Sequence, residues 1–326
     1  MISIVSKSHF APFNIATEEY ILRHLGQEAF LLYINEPSII VGMHQNSIAE
    51  INYEWVREHN IPVVRRLTGG GTVFHDLGNL NFCFIMTAKE DSPWNFERYT
   101  APILEVLREL GVDARLQGRN DLTIDGLKFS GNAKLVERGK ILQHGTILYS
   151  SRLVDLSAAL KVNPLKFSDK AVKSIRARVT NVTDHLKEAV PLEEFIVKVT
   201  ARIHIDYPEI EDYELTDEDI KEIQKLCDEK YSTWDWNFGK SPKYNFSNVV
   251  RTASGTIEAY LDVQAGRIET VKIYGDFFSN RSPHEFEAEF AGVEHQEQAI
   301  RAKLEELPLS DYFGLVSAAE LLPLFF

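Results

Sequence analysis

Cysteine is nearly missing from this chain: Cys83 and Cys227 are the only two in 326 residues. Two cysteines build no disulfide framework, and nothing in their spacing suggests a zinc site. They fit a reducing compartment, so a cytoplasmic protein is expected. No apolar run approaches the roughly 20 residues that span a bilayer, and the opening MISIVSKSHFAPFN has no apolar signal-peptide segment. No membrane association is expected. Basic residues are in deficit, 35 Lys and Arg against 48 Asp and Glu, for a net charge of -13. That excludes a general nucleic-acid binder, which needs a basic surface. Internal repeats and low-complexity tracts are absent. The triple glycine Gly69-Gly70-Gly71 is not followed by Lys-Ser or Lys-Thr, so there is no Walker loop, and no dinucleotide fingerprint is present.

What remains is an ordinary soluble composition, 44% hydrophobic and 25% charged, long enough for a large domain and a small one. Helices are expected at Asn14–Leu25, with Asn14 as N-cap, and at Tyr53–His59, Phe96–Leu110, Leu153–Leu160 and Leu192–Ile203. Thr216 to Asp219 reads as an acidic capping box opening another helix. Short strands are expected at Phe30–Ile34, Ile39–Val41, Ile61–Val64 and Leu80–Met86. Asp125-Gly126 and Arg138-Gly139 mark hairpins between Leu122–Ile124, Leu127–Phe129, Ala133–Val136 and Lys140–Leu142, and Thr146–Tyr149 is a further strand. The fold class is therefore α+β, a large mixed or mostly antiparallel sheet flanked by helices. STWDWNFGKSPKYNF reads as a junction, after which the pattern restarts with strands Gly255–Val263 and Ile268–Tyr274 and two or three helices. Residues 1–240 are expected to be the main domain and 246–326 a second, smaller α+β domain.

Chemistry concentrates in four stretches. RRLTGGGTVFHDLGNLNF, Arg65 to Phe82, joins two core strands through three glycines that let a ligand approach backbone N–H groups. Arg65 and Arg66 stand ready with forked, charged donors. Gly118-Arg119-Asn120-Asp121, Lys128-Phe129-Ser130-Gly131-Asn132-Ala133 and His144-Gly145-Thr146 each place polar groups and a glycine at or within a strand, a mark of close ligand approach. Lys128, on a hairpin strand, suits phosphate or developing negative charge. Asp121 suits Mg²⁺, which takes one or two carboxylates plus phosphate oxygens. His75 and Asp76 are adjacent on a strand, point to opposite faces and form no dyad. Cys83 lies within an apolar strand and neither cysteine has the setting of an activated thiolate. Taken alone, these residues define an anion- or nucleotide-binding enzyme.

The blocks RRLTGGGTVFHDLGNLNF, GRNDLTIDGLKFSGNA and HGTILY, in this order and spacing, resemble the signature blocks of lipoate–protein ligases. KSIRARVTNV, Lys173 to Val182, is similar to that family's segment over the adenylate, and WDWNFGKSPKYNF to its interdomain junction. The resemblance implies a fold shared with biotin protein ligases and related to class II aminoacyl-tRNA synthetase catalytic domains. It implies ATP, Mg²⁺ and lipoate as ligands, lipoyl-AMP as intermediate, and transfer to a lysine of an apo carrier: an E2 lipoyl domain of a 2-oxoacid dehydrogenase, or a glycine-cleavage H protein. A monomer is expected. Carried onto this sequence, Arg66 meets phosphates; Gly71, Thr72, Val73 and Phe74 line the adenylate and lipoyl sites, with His75 beside them. Asn79, Asn120 and Asp121 surround phosphate and metal. Lys128 contacts both the lipoyl carbonyl and the phosphate. Gly131, Ala133 and His144 wall the lipoate tunnel, and Arg176, Val179 and Val182 belong to the segment over the adenine. The basic run Lys161–Arg178, six basic residues against one acidic, becomes a candidate lid. Two alternatives share this fold or this binding: an acyl transferase working through a thioester-forming cysteine without ATP, and a non-catalytic lipoate-binding protein.

Overall fold

The hairpin turns follow from their residues. Asp125 and Gly126 take φ of 52° and 78°, Arg138 and Gly139 of 50° and 74°, the paired positive φ values that a two-residue turn requires. In the computed structural model, residues 1–45, 47–88, 95–160, 179–238, 246–264, 267–295 and 297–325 are described. Arg176 and the rest of the basic run, residues 239–245 of the junction and the Ala265-Gly266 turn lie outside these residues.

Among the described residues the strands are β1 (Ile2–Val5), β2 (Ala29–Ile34), β3 (Ser38–Val41), β4 (Val63–Arg65), β5 (Val73–His75), β6 (Asn79–Thr87), β7 (Ala114–Gln117), β8 (Asp121–Ile124), β9 (Leu127–Glu137), β10 (Lys140–Leu148), β11 (Glu211–Asp212), β12 (Phe246–Thr252), β13 (Gly255–Gln264) and β14 (Arg267–Gly275). Eight form one sheet in the order β11-β1-β2-β6-β10-β9-β8-β7. β1 pairs in parallel with β2 and β11, and every pairing from β2 to β7 is antiparallel. β4-β3-β5 and β12-β13-β14 make two three-stranded sheets. The mixed, mostly antiparallel α+β architecture is the one read from the sequence.

Alternation sorts the large sheet into two faces. Phe30, Leu32, Phe82, Phe84 and Ile141 pack with helices Glu97–Glu109 and Leu192–Asp206. Leu31, Tyr33, Cys83, Ile85 and Leu142 face helix α1 (Ala11–Tyr20) and Ile40 and Val64 of the small sheet β4-β3-β5. The C-terminal strands β12–β14 have their own core, in which Ile257, Leu261 and Ile273 meet Phe286, Ile300 and Phe325.

The structure departs from the sequence reading in three places that matter for the site. Helix α1 begins at Ala11 with Pro12 in its first turn, and Asn14 is no cap. Asn14 is fully buried, accepts from the Ser6 hydroxyl at 2.7 Å and donates to the Ser8 carbonyl and Asn35 Oδ1, both at 2.8 Å. Strands β9 and β10 run unbroken through Ser130-Gly131-Asn132 and His144-Gly145, where His144 pairs with Ala133 and Gly145 with Asn132, and Asn132 Nδ2 donates to the Asn120 carbonyl at 3.0 Å and to Ser130 Oγ at 3.2 Å. Finally, the β8–β9 register shifts: Leu122 opposes Ser130, but Thr123 opposes Lys128. Phe129 is the extra residue of a β-bulge and drops into the core with Phe82 and Leu122. The bulge brings Lys128 onto the same face as Gly131.

Candidate active site

Two cross-strand rows on one face of the large sheet make the floor of a cavity. Tyr33 opposes Asn81, which opposes Thr146, and the Gly131 N–H donates to Thr146 Oγ1 at 3.3 Å while Gly131 opposes Asp121. The parallel row is Leu31, Cys83, His144 and Ala133. The roof is the small sheet, whose Ile40, Val73 and His75 face down while Ile39 and Phe74 pack into a separate core above. Between them lies a cavity of about 280 Å³.

The glycine loop bends around a buried arginine. Arg66 Nη2 donates to the carbonyls of Gly69 at 2.7 Å and Gly71 at 2.8 Å; Nη1 donates to the Ile40 carbonyl at 3.2 Å and Nε to Thr68 Oγ1 at 2.9 Å. Burial lowers its pKa to about 10, so the guanidinium remains charged at neutral pH. Three of its five N–H groups thus shape the loop, and a fourth ties it to β3. Arg65, read as a companion phosphate donor, is instead fully buried, donating to the carbonyls of Gly42, Met43, Gln45, Trp236 and Asn237. A Cβ on Gly42 would stand 2.0 Å from the Gly70 carbonyl oxygen, so these two backbones meet only because Gly42 has no side chain.

Behind the floor, hydrogen bonds converge on Glu18. Thr68 Oγ1 accepts from Arg66 and hydrogen-bonds with His144 Nε2 at 2.7 Å. His144 Nδ1–H then donates to Glu18 Oε2 at 2.8 Å, and Tyr33 OH donates to Glu18 Oε1 at 3.0 Å. Burial pushes the phenol of Tyr33 and the thiol of Cys83 well above their usual ranges. His75 is set by a second chain. The Ser8 carbonyl can only accept, so Asn14 turns Nδ2 to it and to Asn35 Oδ1; Asn35 therefore presents Nδ2 to His75 Nδ1 at 3.0 Å. His75 Nδ1 accepts, and its proton sits on Nε2. Burial, with Arg66 and His144 nearby, lowers the His75 pKa to about 3, so the ring is neutral.

At the far side of the floor, Lys128 Nζ pairs with Asp121 Oδ1 at 2.7 Å, both side chains 39% exposed. A second cavity of about 700 Å³ opens there. It shares Gly71, Thr72, Val73, Asp121, Lys128, Gly131, Thr146 and Asp276 with the first. Lys128 also bridges to Val179, and its carbonyl accepts from Thr180 N–H at 3.0 Å. The C-terminal segment closes one wall. Arg119 donates to the carbonyls of Ser254 and Asp276, and its guanidinium lies 4.5 Å from the Phe278 ring centre. The Gly275 N–H donates to the His44 carbonyl, and the His44 ring stacks on Phe277.

The structure gathers most of the residues singled out from the sequence. Arg66, His75, Asn120, Ala133 and His144 line the first cavity, Phe74 and Val179 the second, and Gly71, Thr72, Val73, Asp121, Lys128 and Gly131 both. Asn79 and Val182 line neither. Asn79 is fully buried beside Asn81, to whose Oδ1 it donates at 2.9 Å. Val182 opens a short turn and packs into the core with Tyr149 and Phe195. The sequence reading missed Tyr33, Asn81, Arg119 and Asp276 as lining residues. Arg119 carried a signal, its place in Gly118-Arg119-Asn120-Asp121. Asp276 carried none, since it reaches the site only through the packing of two separate cores.

Such an arrangement defines a class of site: a cavity between two sheets with a charged, glycine-lined mouth. Residues 11–204 match the lipoyl protein ligase A/B catalytic domain, and residues 241–325 the bacterial lipoate protein ligase C-terminus. The chain belongs to the lipoate–protein ligase family. It is 44% identical to lipoate–protein ligase 1 of Staphylococcus aureus, covering 95% of each chain. It is 42% identical to a lipoate–protein ligase of Bacillus subtilis, covering 96% of each. Among solved structures, the bi-partite lipoate protein ligase described with its E2 lipoyl domain from Thermoplasma acidophilum is similar at 31% identity and a TM-score of 0.64, over 75% of this chain and 98% of that one. A lipoate-protein ligase A bound with ATP is similar at 27% identity and a TM-score of 0.58, over 73% and 97%.

Proposed function

We propose that this site activates lipoate with ATP and passes the lipoyl group to a carrier lysine. The observation that carries this reading is Lys128 on the wall common to the two cavities. An acid with its tail in the first and a nucleotide in the second would bring carboxylate and α-phosphate together at one ammonium. In the first half-reaction a carboxylate oxygen attacks the α-phosphorus, and the bond to the leaving pyrophosphate breaks. The product is lipoyl-AMP. In the second, the neutral amine of the carrier lysine attacks the acyl carbon, the carbon–oxygen bond to AMP breaks, and the amine loses a proton as the amide forms. Lys128 neutralises charge that grows on the phosphoryl and acyl oxygens, and fixed donors count most where charge develops. The N–H groups of the Gly69–Gly71 loop, bent by Arg66, add uncharged donors at the same mouth.

Asp121 offers a hard carboxylate oxygen at the junction, a donor set suited to Mg²⁺ with phosphate oxygens completing the shell. Bound there, Mg²⁺ would offset phosphate charge. Arg176 and Val179 are proposed to close over the adenine, with Val179 already on the second cavity, whereas Val182 stays in the core. Residues 1–240 would form the catalytic domain and 246–326 an accessory domain. The carrier is an E2 lipoyl domain or an H protein, and the enzyme a cytoplasmic monomer. Among the described residues no helix is long and apolar enough to cross a membrane. A thioester-forming transferase is disfavoured, because both cysteines are buried and burial raises both thiol pKa values.

The test is to incubate the protein with ATP, Mg²⁺ and lipoate and follow pyrophosphate and lipoyl-AMP. Both should form, and adding an apo carrier should yield AMP and a lipoylated lysine. Acyl transfer that proceeds without ATP would overturn this reading.

A further inference from the structure

The inner half of the first cavity has polar groups around it, and almost all are spent on one another. Tyr33 OH and His144 Nδ1 both serve Glu18. Asn81 Nδ2 donates to the Tyr33 carbonyl at 3.2 Å, and its Oδ1 accepts from Asn79. Arg66 holds two loop carbonyls, the Ile40 carbonyl of β3 and Thr68. His75 is different. It is 2% exposed, lines this cavity, and its Nε2 has no partner among the described residues. The chain of donors from Asn14 through Asn35 puts the proton on that nitrogen. A buried N–H in a cavity wall without an acceptor is costly until a ligand supplies one.

Position says which part of a ligand would supply it. The charged mouth at Lys128 and Asp121 fixes the carboxylate end. Tyr33 lies two strands from Thr146 along the floor, roughly 10 Å at the usual strand spacing. His75 hydrogen-bonds to Asn35, two residues beyond Tyr33 on the β2 side of the sheet. It therefore meets the distal end of the acid, where lipoate carries a cyclic disulfide and octanoate only hydrocarbon. Disulfide sulfur is a weak acceptor.

We propose that His75 is a specificity-determining residue, its Nε2–H donating to a ring sulfur of the dithiolane so that the site prefers lipoate to a saturated acid of similar length. This rests on the ligase reading above. Octanoate fills the tail cavity but leaves the N–H unpaired. A site built to pair a ligand group discriminates against the analogue that lacks it, here by about tenfold because the acceptor is weak.

The experiment measures kcat/KM for pyrophosphate release with each acid, on the full chain. The wild type should favour lipoate about tenfold. His75→Phe should remove that preference, chiefly through a higher KM for lipoate, and His75→Gln, which keeps an N–H donor, should restore part of it. Equal losses for both acids in His75→Phe, or an unchanged ratio, would overturn the proposal. Should His75→Phe not fold, the wild type labelled with ¹⁵N-histidine decides: lipoate should move the His75 Nε2–H resonance and octanoate should not. Identical responses to the two acids would count against it. Wild type that activates neither acid would instead overturn the ligase reading, and this inference with it.

Discussion

Lys128 and His75 show two ways for a single side chain to be held ready. Lys128 is part-exposed and its ammonium pairs with Asp121, a pair worth about 0–1 kcal/mol of stability at such exposure. Lys128→Ala should therefore fold and melt almost as the wild type does, yet lose about 10²–10³ in adenylation rate. Pyrophosphate release beside a thermal melt checks both halves; a variant that keeps its rate would remove Lys128 from the chemistry. His75 is buried, and burial lowers its folded pKa to about 3, below the ordinary histidine value of 6.5. As pH falls below that value the unfolded chain takes up the proton first. Its contribution is thus intact above about pH 6.5 and is lost at about 1.4 kcal/mol per unit as pH drops toward 3. Denaturant unfolding at pH 6.5 and 4.5 should show wild type losing more stability than His75→Phe over that interval. Parallel losses would mean that the ring does not stay neutral when folded.

The site's elements are held by close backbone approach. Gly42 lies against the Gly70 carbonyl, and the Met43 N–H donates to the Thr68 carbonyl at 2.8 Å. Gly42→Ala must push the glycine loop away. The expected cost is about 1–3 kcal/mol in stability and up to about 10²-fold in adenylation, since small displacements of positioned groups are expensive. Melting and activity measured together test this, and a fully active Gly42→Ala would show that the loop tolerates the shift. The loop's existence was legible from three consecutive glycines between apolar runs, and the hairpins from Asp-Gly and Arg-Gly. The direction of Arg66 was not. Nothing local distinguishes an arginine that reaches a ligand from one that bends its own loop; that depends on which carbonyls the fold brings around it. Asn14 misled for a related reason: a polar residue before an apolar run reads as a cap, yet Ser6, Ser8 and Asn35 claim it from outside the helix. The edge strand β11 and its short neighbour β1 carry too few residues to show a period.

Across the whole molecule, the first cavity is completed by a segment far along the chain. Asp276 lines both cavities, while Phe278 packs with Phe96 and Ala133. Arg119 fastens that segment through two carbonyls and the Phe278 face, a stacking worth about 0.5–2 kcal/mol when desolvated. Arg119→Ala should raise amide exchange at Gly275 and Asp276 by about tenfold, leaving β6 and β10 as protected as before. Exchange that rises equally in the large sheet would mean that Arg119 supports the fold as a whole. The pattern that restarts after Phe246 covers the strands whose core is their own. How this core meets the active site was not legible in the sequence, because the contact pairs residues more than a hundred positions apart.

The bulge at Phe129 gives the site an unusual dependence on irregularity. In a strand without it, parity would send Phe129 into the cavity and bury Lys128 among Phe82 and Leu122. One residue inserted in β8 opposite Phe129 would restore a perfect ladder and so improve the sheet as a sheet. The same repair would trade the cation for a benzyl group at the point where the substrates meet. In this chain the most regular hairpin and the working one are different proteins.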